Sequence, residues 1–337
     1  MLGSDGTSLG SNHQYFACIR ILTLALFLFL TETLLAATVA KPFVEEIKNG
    51  VQALDRTPVL VGFLANSDPA ARMYADWTAK TAESAGFIYE LREVDKEELE
   101  EAIIAANEDD AVDGIMVYFP VFGGGQDQYL QQVLSKEKDV EGLSHLYIQN
   151  MYHNVRFLDE AETQKSILPC TPLATVKILE FLGVYNSLIP YGNRLYGKTI
   201  TVINRSEIVG RPLAALLAND GATVYSVDIT GTQKFTRGQA LKHKRHLVAD
   251  VEISLQDAVG QSDVVITGVP SAAYKFPVEY LKDGAVCVNF SSEKNFPPTV
   301  KEHASLYVPS IGKVTIAMLL RNLLRLIDNK KQRDLLK

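Results

Sequence analysis

Short apolar runs alternate with amphipathic stretches along most of this chain. Seven runs have the length and composition of buried β-strands: 59–64, 87–92, 114–119, 199–203, 223–227, 264–267 and 285–290. The segments between them, such as 42–54, 68–85 and 96–107, carry apolar residues at helical spacing. Strands that alternate with helices of this length predict βαβ units and parallel sheets.

Turn-forming residues divide this pattern into two halves. Asp68 followed by Pro69 predicts the start of a helix, because aspartate caps helix N-termini and proline suits the first helical position. A long connecting helix over 171–182 is followed by a glycine-containing boundary at 192–197. We therefore expect two α/β domains: residues 35–183, completed by a C-terminal helix at 315–330, and residues 184–314.

Residues 1–34 are expected to lie outside this fold. Their apolar run at 21–30 is too short to span a bilayer but has the length of a signal-peptide core. Arg20 is the only positive charge before it. A cleavable signal, an organelle leader and a spurious upstream extension all remain open. The cytoplasm is the expected location, with organelle or secretory targeting as the alternative if the leader is real.

Composition and charge restrict the class of protein. A chain of 337 residues with 47% hydrophobic residues suits two globular domains. The net charge of −7 argues against a nucleic-acid-binding face, and the basic cluster at 242–246 has no interleaved aromatic residues. Cys18, Cys170 and Cys287 are too widely spaced for a disulfide framework or a zinc site. We expect no metal and a reducing environment.

The start of the second half has the pattern of a dinucleotide-binding unit. A strand over 197–203 enters a polar turn that begins at Asn204, and a helix follows. Ser206 offers a hydroxyl, and Gly210 permits close approach of a pyrophosphate to the helix N-terminus. Asn204 replaces the usual first glycine, and asparagine tolerates left-handed backbone better than most residues.

Asp228 indicates which dinucleotide this unit binds. It ends the next strand, 24 residues after Asn204. A carboxylate at this position accepts hydrogen bonds from a ribose 2′-hydroxyl and repels a 2′-phosphate, so the spacing favours NAD over NADP. The alternative is an aspartate that only caps a turn.

With these residues in place, residues 35–326 resemble the methylenetetrahydrofolate dehydrogenase/cyclohydrolase family, and within it the monofunctional NAD-dependent enzymes of yeasts and other fungi. The matching segments are NSDPAARMYADWT (66–78), YFPVFG (118–123), KEKDVEGL (136–143), LPCTP (168–172) and NRSEIVGRP (204–212). The resemblance implies an N-terminal three-layer α/β folate domain, a Rossmann-type NAD domain with a parallel sheet, and a cleft between them. It also implies hydride transfer from 5,10-methylenetetrahydrofolate to NAD.

On the folate side, the resemblance assigns substrate binding to Tyr74, Tyr118, Phe119, Pro120 and Glu141. Bifunctional relatives carry a lysine one helical turn after the tyrosine, a glutamine at position 118 and an aspartate at position 141. This chain has Thr78 in place of the lysine, and Lys80 lies on a different helix face. We therefore expect no significant cyclohydrolase activity.

Cys170 matches the cysteine that is assigned as catalytic in the monofunctional relatives. A buried thiol that only fills the turn between the domains is an equal alternative. On the cofactor side, the resemblance points to Arg205, Ser206, Asp228, Ile229, Phe290, Ser291 and Ser292. Residues 309–315 resemble a shortened form of a glycine-rich loop near the nicotinamide.

The resemblance further implies a homodimer, a small-molecule folate substrate and a role in one-carbon metabolism and purine biosynthesis. No nucleic-acid partner and no stable membrane association beyond the leader are expected. Two alternatives remain: a bifunctional NADP-dependent dehydrogenase/cyclohydrolase, against which Thr78 and Asp228 both speak, and a folate- and dinucleotide-binding protein without turnover.

Overall fold

The computed structural model describes residues 32–335, so the apolar run at 21–30 lies outside the described residues. The first half of the chain forms a small parallel sheet with helices on both faces. After the short strand β1 (Glu32–Thr33), its elements are α1 (Ala36–Gln52), β2 (Val59–Leu64), α2 (Pro69–Ser84), β3 (Ile88–Glu93), α3 (Leu99–Glu108), β4 (Gly114–Val117), α4 (Gly124–Val133), α5 (His145–Tyr152) and α6 (Cys170–Phe181).

The sheet of the first half has the order β3–β2–β4, with all strands parallel. Central strand β2 is buried on both faces, which explains its unbroken apolar sequence. Val61 and Phe63 pack in the cluster that contains residues of α3 and α4, whereas Leu60 and Leu64 face the main core with α1, α2 and α6. Helix–sheet–helix layering confirms the predicted three-layer α/β arrangement.

A larger sheet organises the second half. Its elements are β5 (Thr199–Ile203), α7 (Gly210–Asn219), β6 (Thr223–Asp228), β7 (Gly231–Thr236), β8 (Leu247–Val251), α8 (Leu255–Gly260), β9 (Val264–Thr267), β10 (Val286–Asn289), α9 (Val300–His303), β11 (Leu306–Val308) and α10 (Gly312–Leu335). The strand order is β1–β11–β10–β9–β5–β6–β7–β8. In this spatial order the first six strands, β1, β11, β10, β9, β5 and β6, are parallel, as predicted for a Rossmann-type sheet.

Two antiparallel strands, β7 and β8, extend this sheet beyond β6 and were not predicted. Their sequences lack an apolar run, and Leu247–Val251 is largely exposed, so hydrophobic patterning gave no signal for them. The basic cluster 242–246 lies in the loop between them. It is mostly exposed, as expected, but the His246 ring stacks on buried Phe235 with centroids 5.5 Å apart.

Several element boundaries differ from the sequence-based prediction. Helix α1 begins at Ala36 and contains Pro42, where the pattern placed its start. The predicted irregular segment 139–169 contains α5, and α10 extends through the basic tail to Leu335. Glu32 and Thr33, placed by the prediction in the leader, pair with β11 in the second sheet.

The two halves are joined by helices and by polar contacts. Helix α10 packs against α1 and α6, so the end of the chain completes the first domain. Arg156 forms an ion pair with Asp220 after α7, with N and O 2.6 Å apart, and the Asn219 side chain donates to the Met151 carbonyl at 2.9 Å. Within residues 32–335, no helix is long and apolar enough to cross a membrane, and no three His, Cys, Asp or Glu side chains are grouped to hold a metal ion.

Candidate active site

Two of the tyrosines assigned to folate binding contact one another. Tyr74 projects from α2, and Tyr118 directly follows β4, where its amide donates to the Phe63 carbonyl at 3.0 Å. Their rings meet edge to face, with centroids 6.1 Å apart and an interplanar angle of 81°. This geometry is favourable for aromatic pairs.

The helical position one turn after Tyr74 carries no charge. Thr78 is fully buried there, and its hydroxyl donates to the Tyr74 carbonyl at 2.9 Å. Lys80 lies exposed on another face of α2. The neighbouring Tyr118 hydroxyl lies 2.7 Å from that of Tyr89, and burial raises the pKa of Tyr118 to about 12. The site therefore contains neutral hydroxyl groups at the position where the bifunctional relatives carry the charged ammonium group of a lysine.

Glu141 is the acidic group of the pocket. Its carboxyl oxygen Oε2 accepts a hydrogen bond from the Val117 amide at 3.0 Å. Burial, reinforced by the nearby Asp139 carboxylate, raises the pKa of Glu141 to about 8 despite that hydrogen bond. At neutral pH the Glu141 carboxyl is thus mainly protonated in the ligand-free protein.

The backbone around Glu141 is held by Asp139. This buried carboxylate accepts hydrogen bonds from the amides of Gly142 at 2.8 Å and Ser144 at 2.7 Å. Gly142 has a φ of 74°, and a Cβ there would lie 2.7 Å from the Leu168 carbonyl carbon, so only glycine fits. The turn after Glu141 therefore packs directly on the LPCTP segment.

Cys170 lies at the first residue of α6, beside Glu141. Its amide donates to the Glu141 carbonyl at 3.1 Å, and its side chain is 7% exposed. Burial and the neighbouring Glu141 carboxyl raise the pKa of the Cys170 thiol well above its ordinary value. The thiol stays protonated, which disfavours a role as a thiolate nucleophile.

The loop that contains Phe119 and Pro120 is held in place from two sides. Asn66 donates its amide to the carbonyls of Tyr118 at 2.7 Å and Pro120 at 3.0 Å. The buried Asp127 carboxylate accepts from the three consecutive backbone amides of residues 121–123. Asp127 was not identified from the sequence, because its partners are backbone groups that carry no sequence signal.

Asn322 on α10 connects two motifs of the pocket. Its side-chain amide donates to the carbonyls of Val140 at 2.9 Å and Leu168 at 3.0 Å, and the residue is 1% exposed. The closing helix thereby holds the residue before Glu141 beside the segment that leads to Cys170. Sequence analysis missed Asn322, which lies far from both motifs in the chain.

The predicted pyrophosphate turn lies between β5 and α7. Asn204, with φ of 126°, accepts from the Ser206 amide at 2.6 Å and donates to the Gly268 carbonyl at 2.6 Å. The Ser206 hydroxyl accepts from the Gly210 amide at 3.2 Å. A Cβ on Gly210 would lie 2.0 Å from the Asn204 carbonyl oxygen. The turn thus requires glycine at 210 and uses Asn204 to join β5 to the end of β9.

Asp228 lies at the end of β6, next to this turn. Its carboxylate accepts hydrogen bonds from the backbone amides of Arg205 at 2.8 Å and Ile229 at 2.7 Å. Asp228 therefore caps the turn, which was the alternative to a ribose-binding role. The Arg205 guanidinium folds back on the carbonyls of Ser226 at 2.7 Å and Gly231 at 2.5 Å. Arg205 thus supports the Asp228 region, and the Ile229 side chain is fully exposed.

The predicted nicotinamide-side residues follow β10. The Phe290 ring covers Gly268, where an added Cβ would overlap it, and Ser291 donates to the Val269 carbonyl at 3.0 Å. Ser292 is exposed. Buried Asn289, missed by the sequence analysis, donates to three carbonyls, those of Ser291, Glu293 and Pro309. It holds the loops at this edge of the sheet together.

A cavity of about 550 Å³ joins the two sides. Pro120 and Leu143 line it from the folate side, and Ser206 and Ile208 line it from the pyrophosphate turn. Of the predicted site residues, Pro120 from the folate set and Ser206 from the cofactor set line this cavity, which lies between the two halves.

Two family models match successive parts of the chain. Residues 34–141 match the family model of the catalytic domain of tetrahydrofolate dehydrogenase/cyclohydrolase, and residues 169–331 match that of its NAD(P)-binding domain. The chain belongs to this family. The tetrahydrofolate dehydrogenase/cyclohydrolase membership predicted from the five motifs is thus confirmed.

Individual members of this family show close similarity to the chain. A Schizosaccharomyces pombe protein named methylenetetrahydrofolate dehydrogenase [NAD(+)] is 68% identical, covering 86% of this chain and 91% of the relative. Its Saccharomyces cerevisiae counterpart is 66% identical, covering 88% and 96%. The solved structure of the NAD-dependent 5,10-methylenetetrahydrofolate dehydrogenase from Saccharomyces cerevisiae superposes with a TM-score of 0.86 at 64% identity, over 90% of this chain and 99% of that one.

Proposed function

We propose that this chain oxidises 5,10-methylenetetrahydrofolate to 5,10-methenyltetrahydrofolate with NAD as the acceptor. The observation that carries the proposal is the sequence identity of 66–68% to two proteins named methylenetetrahydrofolate dehydrogenase [NAD(+)]. The match extends over more than nine-tenths of their length. It includes both walls of the cleft. A relationship this close over the whole catalytic unit favours the same reaction.

The residues of the second domain fit a bound dinucleotide. A strand, a tight turn and a helix N-terminus follow one another at 199–210, and the Asp228 carboxylate lies beside the turn. When bound, NAD supplies the hydride acceptor. The chain then contributes positioning, because both substrates must meet in the cleft at the correct distance.

The folate-side residues would bind and orient the substrate. The Tyr74 ring offers an aromatic face to the folate, and the Glu141 carboxyl offers a hydrogen-bonding group beside it. Pro120 lines the cavity from the same loop, and Phe119 packs against the hydrophobic cluster behind it. These assignments are part of the proposal.

Absence of significant cyclohydrolase activity is a further part of the proposal. Hydrolysis of the methenyl product needs a group that activates water and transfers protons. Thr78 is buried with its proton donated to the Tyr74 carbonyl, and Tyr118 has its pKa raised to about 12. Neither of these two groups exchanges protons readily near neutral pH. The Glu141 carboxyl, with its pKa raised to about 8, can do so, but position 78 offers no lysine to act with it.

Cys170 is proposed to act by packing. The raised pKa of its thiol and its burial beside Glu141 support this role over nucleophilic catalysis. Cys170→Ala should then keep kcat within about tenfold of the unmodified protein, whereas loss of a required nucleophile costs several orders of magnitude.

The assay follows NADH formation from methylenetetrahydrofolate, with NAD and NADP in separate reactions. We expect turnover with NAD, little with NADP, and decay of the methenyl absorbance at the spontaneous rate only. Turnover with neither cofactor would favour a binding protein. Faster turnover with NADP, or accelerated decay of the methenyl product, would favour the bifunctional alternative.

The wider context is proposed from the family resemblance. It comprises a homodimer formed through the cofactor domain, location in the cytoplasm and supply of one-carbon units to purine biosynthesis. Two free buried thiols, Cys170 and Cys287, are compatible with a reducing compartment. Sedimentation equilibrium tests the dimer, and N-terminal sequencing of the mature protein tests the fate of residues 1–34.

A further inference from the structure

Tyr89 lies behind the candidate folate pocket and belongs to none of the motifs that suggested the site. It projects from β3, on the opposite side of β2 from Tyr118. The two phenol groups meet above β2, with their oxygen atoms 2.7 Å apart. A tyrosine outside the pocket thus contacts directly a tyrosine within it.

A glycine in β2 makes this contact possible. Gly62 lies in the middle of β2, and a Cβ there would lie 2.4 Å from the Tyr89 hydroxyl and 3.2 Å from Cε2 of Tyr118. Any side chain at position 62 would therefore separate the two phenols. The missing side chain leaves the space in which they meet.

The hydrogen bond between the two phenols ties Tyr118 to β3. A hydroxyl has one proton to donate and can accept two, so either oxygen can be the donor in this bond. Thr78, one helical turn after Tyr74, donates its proton to the Tyr74 carbonyl at 2.9 Å and has none left for Tyr118. Tyr89 therefore supplies the hydrogen bond that holds the Tyr118 hydroxyl.

We propose that Tyr89 is a positioning residue for the folate pocket: its hydrogen bond to the Tyr118 hydroxyl holds the Tyr118 ring edge-on against Tyr74. This inference rests on the proposed folate site. The contact fixes the Tyr118 ring through its hydroxyl, from strand β3. Tyr89 acts through Tyr118 and needs no contact with the substrate.

The test compares Tyr89→Phe, Tyr118→Phe and the double variant. Tyr129→Phe is the matched control, because Tyr129 loses an equivalent hydroxyl that is bonded to Glu100 at 2.7 Å on the exposed surface. Loss of one neutral hydrogen bond of ordinary strength predicts a rise of about fivefold in the folate KM of Tyr89→Phe. The kcat and the KM for NAD should stay within about twofold, and Tyr129→Phe should change nothing.

The double variant distinguishes positioning from general packing. If Tyr89 acts through the Tyr118 hydroxyl, Tyr89→Phe should have no further effect in the Tyr118→Phe background. An unchanged folate KM in Tyr89→Phe, an equal rise in both KM values, or a full additive effect in the double variant would overturn the proposal. If Tyr89→Phe does not fold, Gly62→Ala displaces the same hydroxyl with both tyrosines present and must raise the folate KM selectively.

Calorimetric binding of tetrahydrofolate separates this proposal from the proposed reaction. If the unmodified protein binds tetrahydrofolate but does not reduce NAD, the reaction is wrong, and the role of the Tyr89–Tyr118 hydrogen bond is tested by the affinity alone. Tyr89→Phe should then weaken tetrahydrofolate binding by about the same factor of five. Unchanged affinity would overturn the proposed role of Tyr89.

Discussion

At the scale of single residues, the pocket keeps a carboxyl group in an environment that favours its neutral form. Glu141 has one backbone donor and a buried acidic neighbour, and its pKa is raised to about 8 from an ordinary value of 4.5. The folded protein therefore holds a proton that the unfolded chain releases. Between these two pKa values, the contribution of Glu141 to the free energy of unfolding falls as the pH rises.

Glu141→Gln should remove this pH dependence. The glutamine oxygen can still accept from the Val117 amide, but no proton is lost on unfolding. Between pH 5 and 8 the stability of the variant relative to the unmodified protein should rise by up to about 1.4 kcal/mol per pH unit. Urea denaturation at several pH values measures this, with exposed Glu83→Gln as the control. Parallel curves for Glu141→Gln and the unmodified protein would contradict the burial argument.

Asp228→Asn tests the discriminating role of a single negative charge. Asparagine retains an oxygen that can accept from the amides of Arg205 or Ile229, so the turn is preserved in part while the charge is lost. The ratio of kcat/KM for NADP to that for NAD should rise at least tenfold, about 1.4 kcal/mol. Asp250→Asn, on the hairpin strand β8, loses the same charge and should leave the ratio unchanged.

At the scale of elements, the turn between β5 and α7 depends on close packing of its own backbone. Gly210→Ala places a methyl group 2.0 Å from the Asn204 carbonyl oxygen, and relief requires movement of the turn. We expect a loss of about 1–3 kcal/mol in stability and a raised KM for NAD with an unchanged folate KM. Thermal unfolding and steady-state kinetics measure both effects.

Gly260→Ala is the matched control for this prediction. Gly260 ends α8, and a Cβ there meets no atom within 4 Å. Alanine favours helix over glycine by up to about 1 kcal/mol, so this variant should be neutral or more stable. Equal losses in the two variants would show that the Asn204 contact is not the cause.

Elements with strong local patterns were predictable, and those held by distant contacts were not. The start of α2 follows from Asp68, whose carboxylate accepts from the Ala70 amide as the cap–proline pair predicts. Strand β7 is mostly polar with one fully buried apolar residue, Phe235, and β8 is largely exposed, so their pairing depends on the neighbouring strand β6. Asp127, Asn289 and Asn322 were missed for a related reason: each binds backbone groups, and backbone groups are the same in every sequence.

At the scale of the whole molecule, α10 brings the C-terminal end of the chain into the N-terminal domain. Asn322→Leu keeps the number and branching of the side-chain heavy atoms but leaves the carbonyls of Val140 and Leu168 without their donor. Loss of two buried hydrogen bonds should cost at least about 2 kcal/mol of stability. Because these carbonyls flank Glu141 and Cys170, the folate KM should also rise.

Asn329→Leu separates stability from function in this prediction. Asn329 is buried farther along α10 and donates to the Lys165 carbonyl at 3.3 Å, away from the pocket motifs. This variant should lose stability without a change in the folate KM. If both variants raise the folate KM equally, the effect comes from general loosening of the helix.

The short strand β1 has a consequence for where the chain can be cut. The Glu32 amide donates to the Ser305 carbonyl at 3.2 Å, and the Leu34 amide donates to the Tyr307 carbonyl at 2.9 Å. Truncation at the small residues Ala36 and Ala37 would remove β1 and leave β11 as an open edge. Open edges recruit strands from other molecules, so a protein shortened to Thr38 is expected to aggregate, whereas one that starts before Glu32 keeps its edge covered.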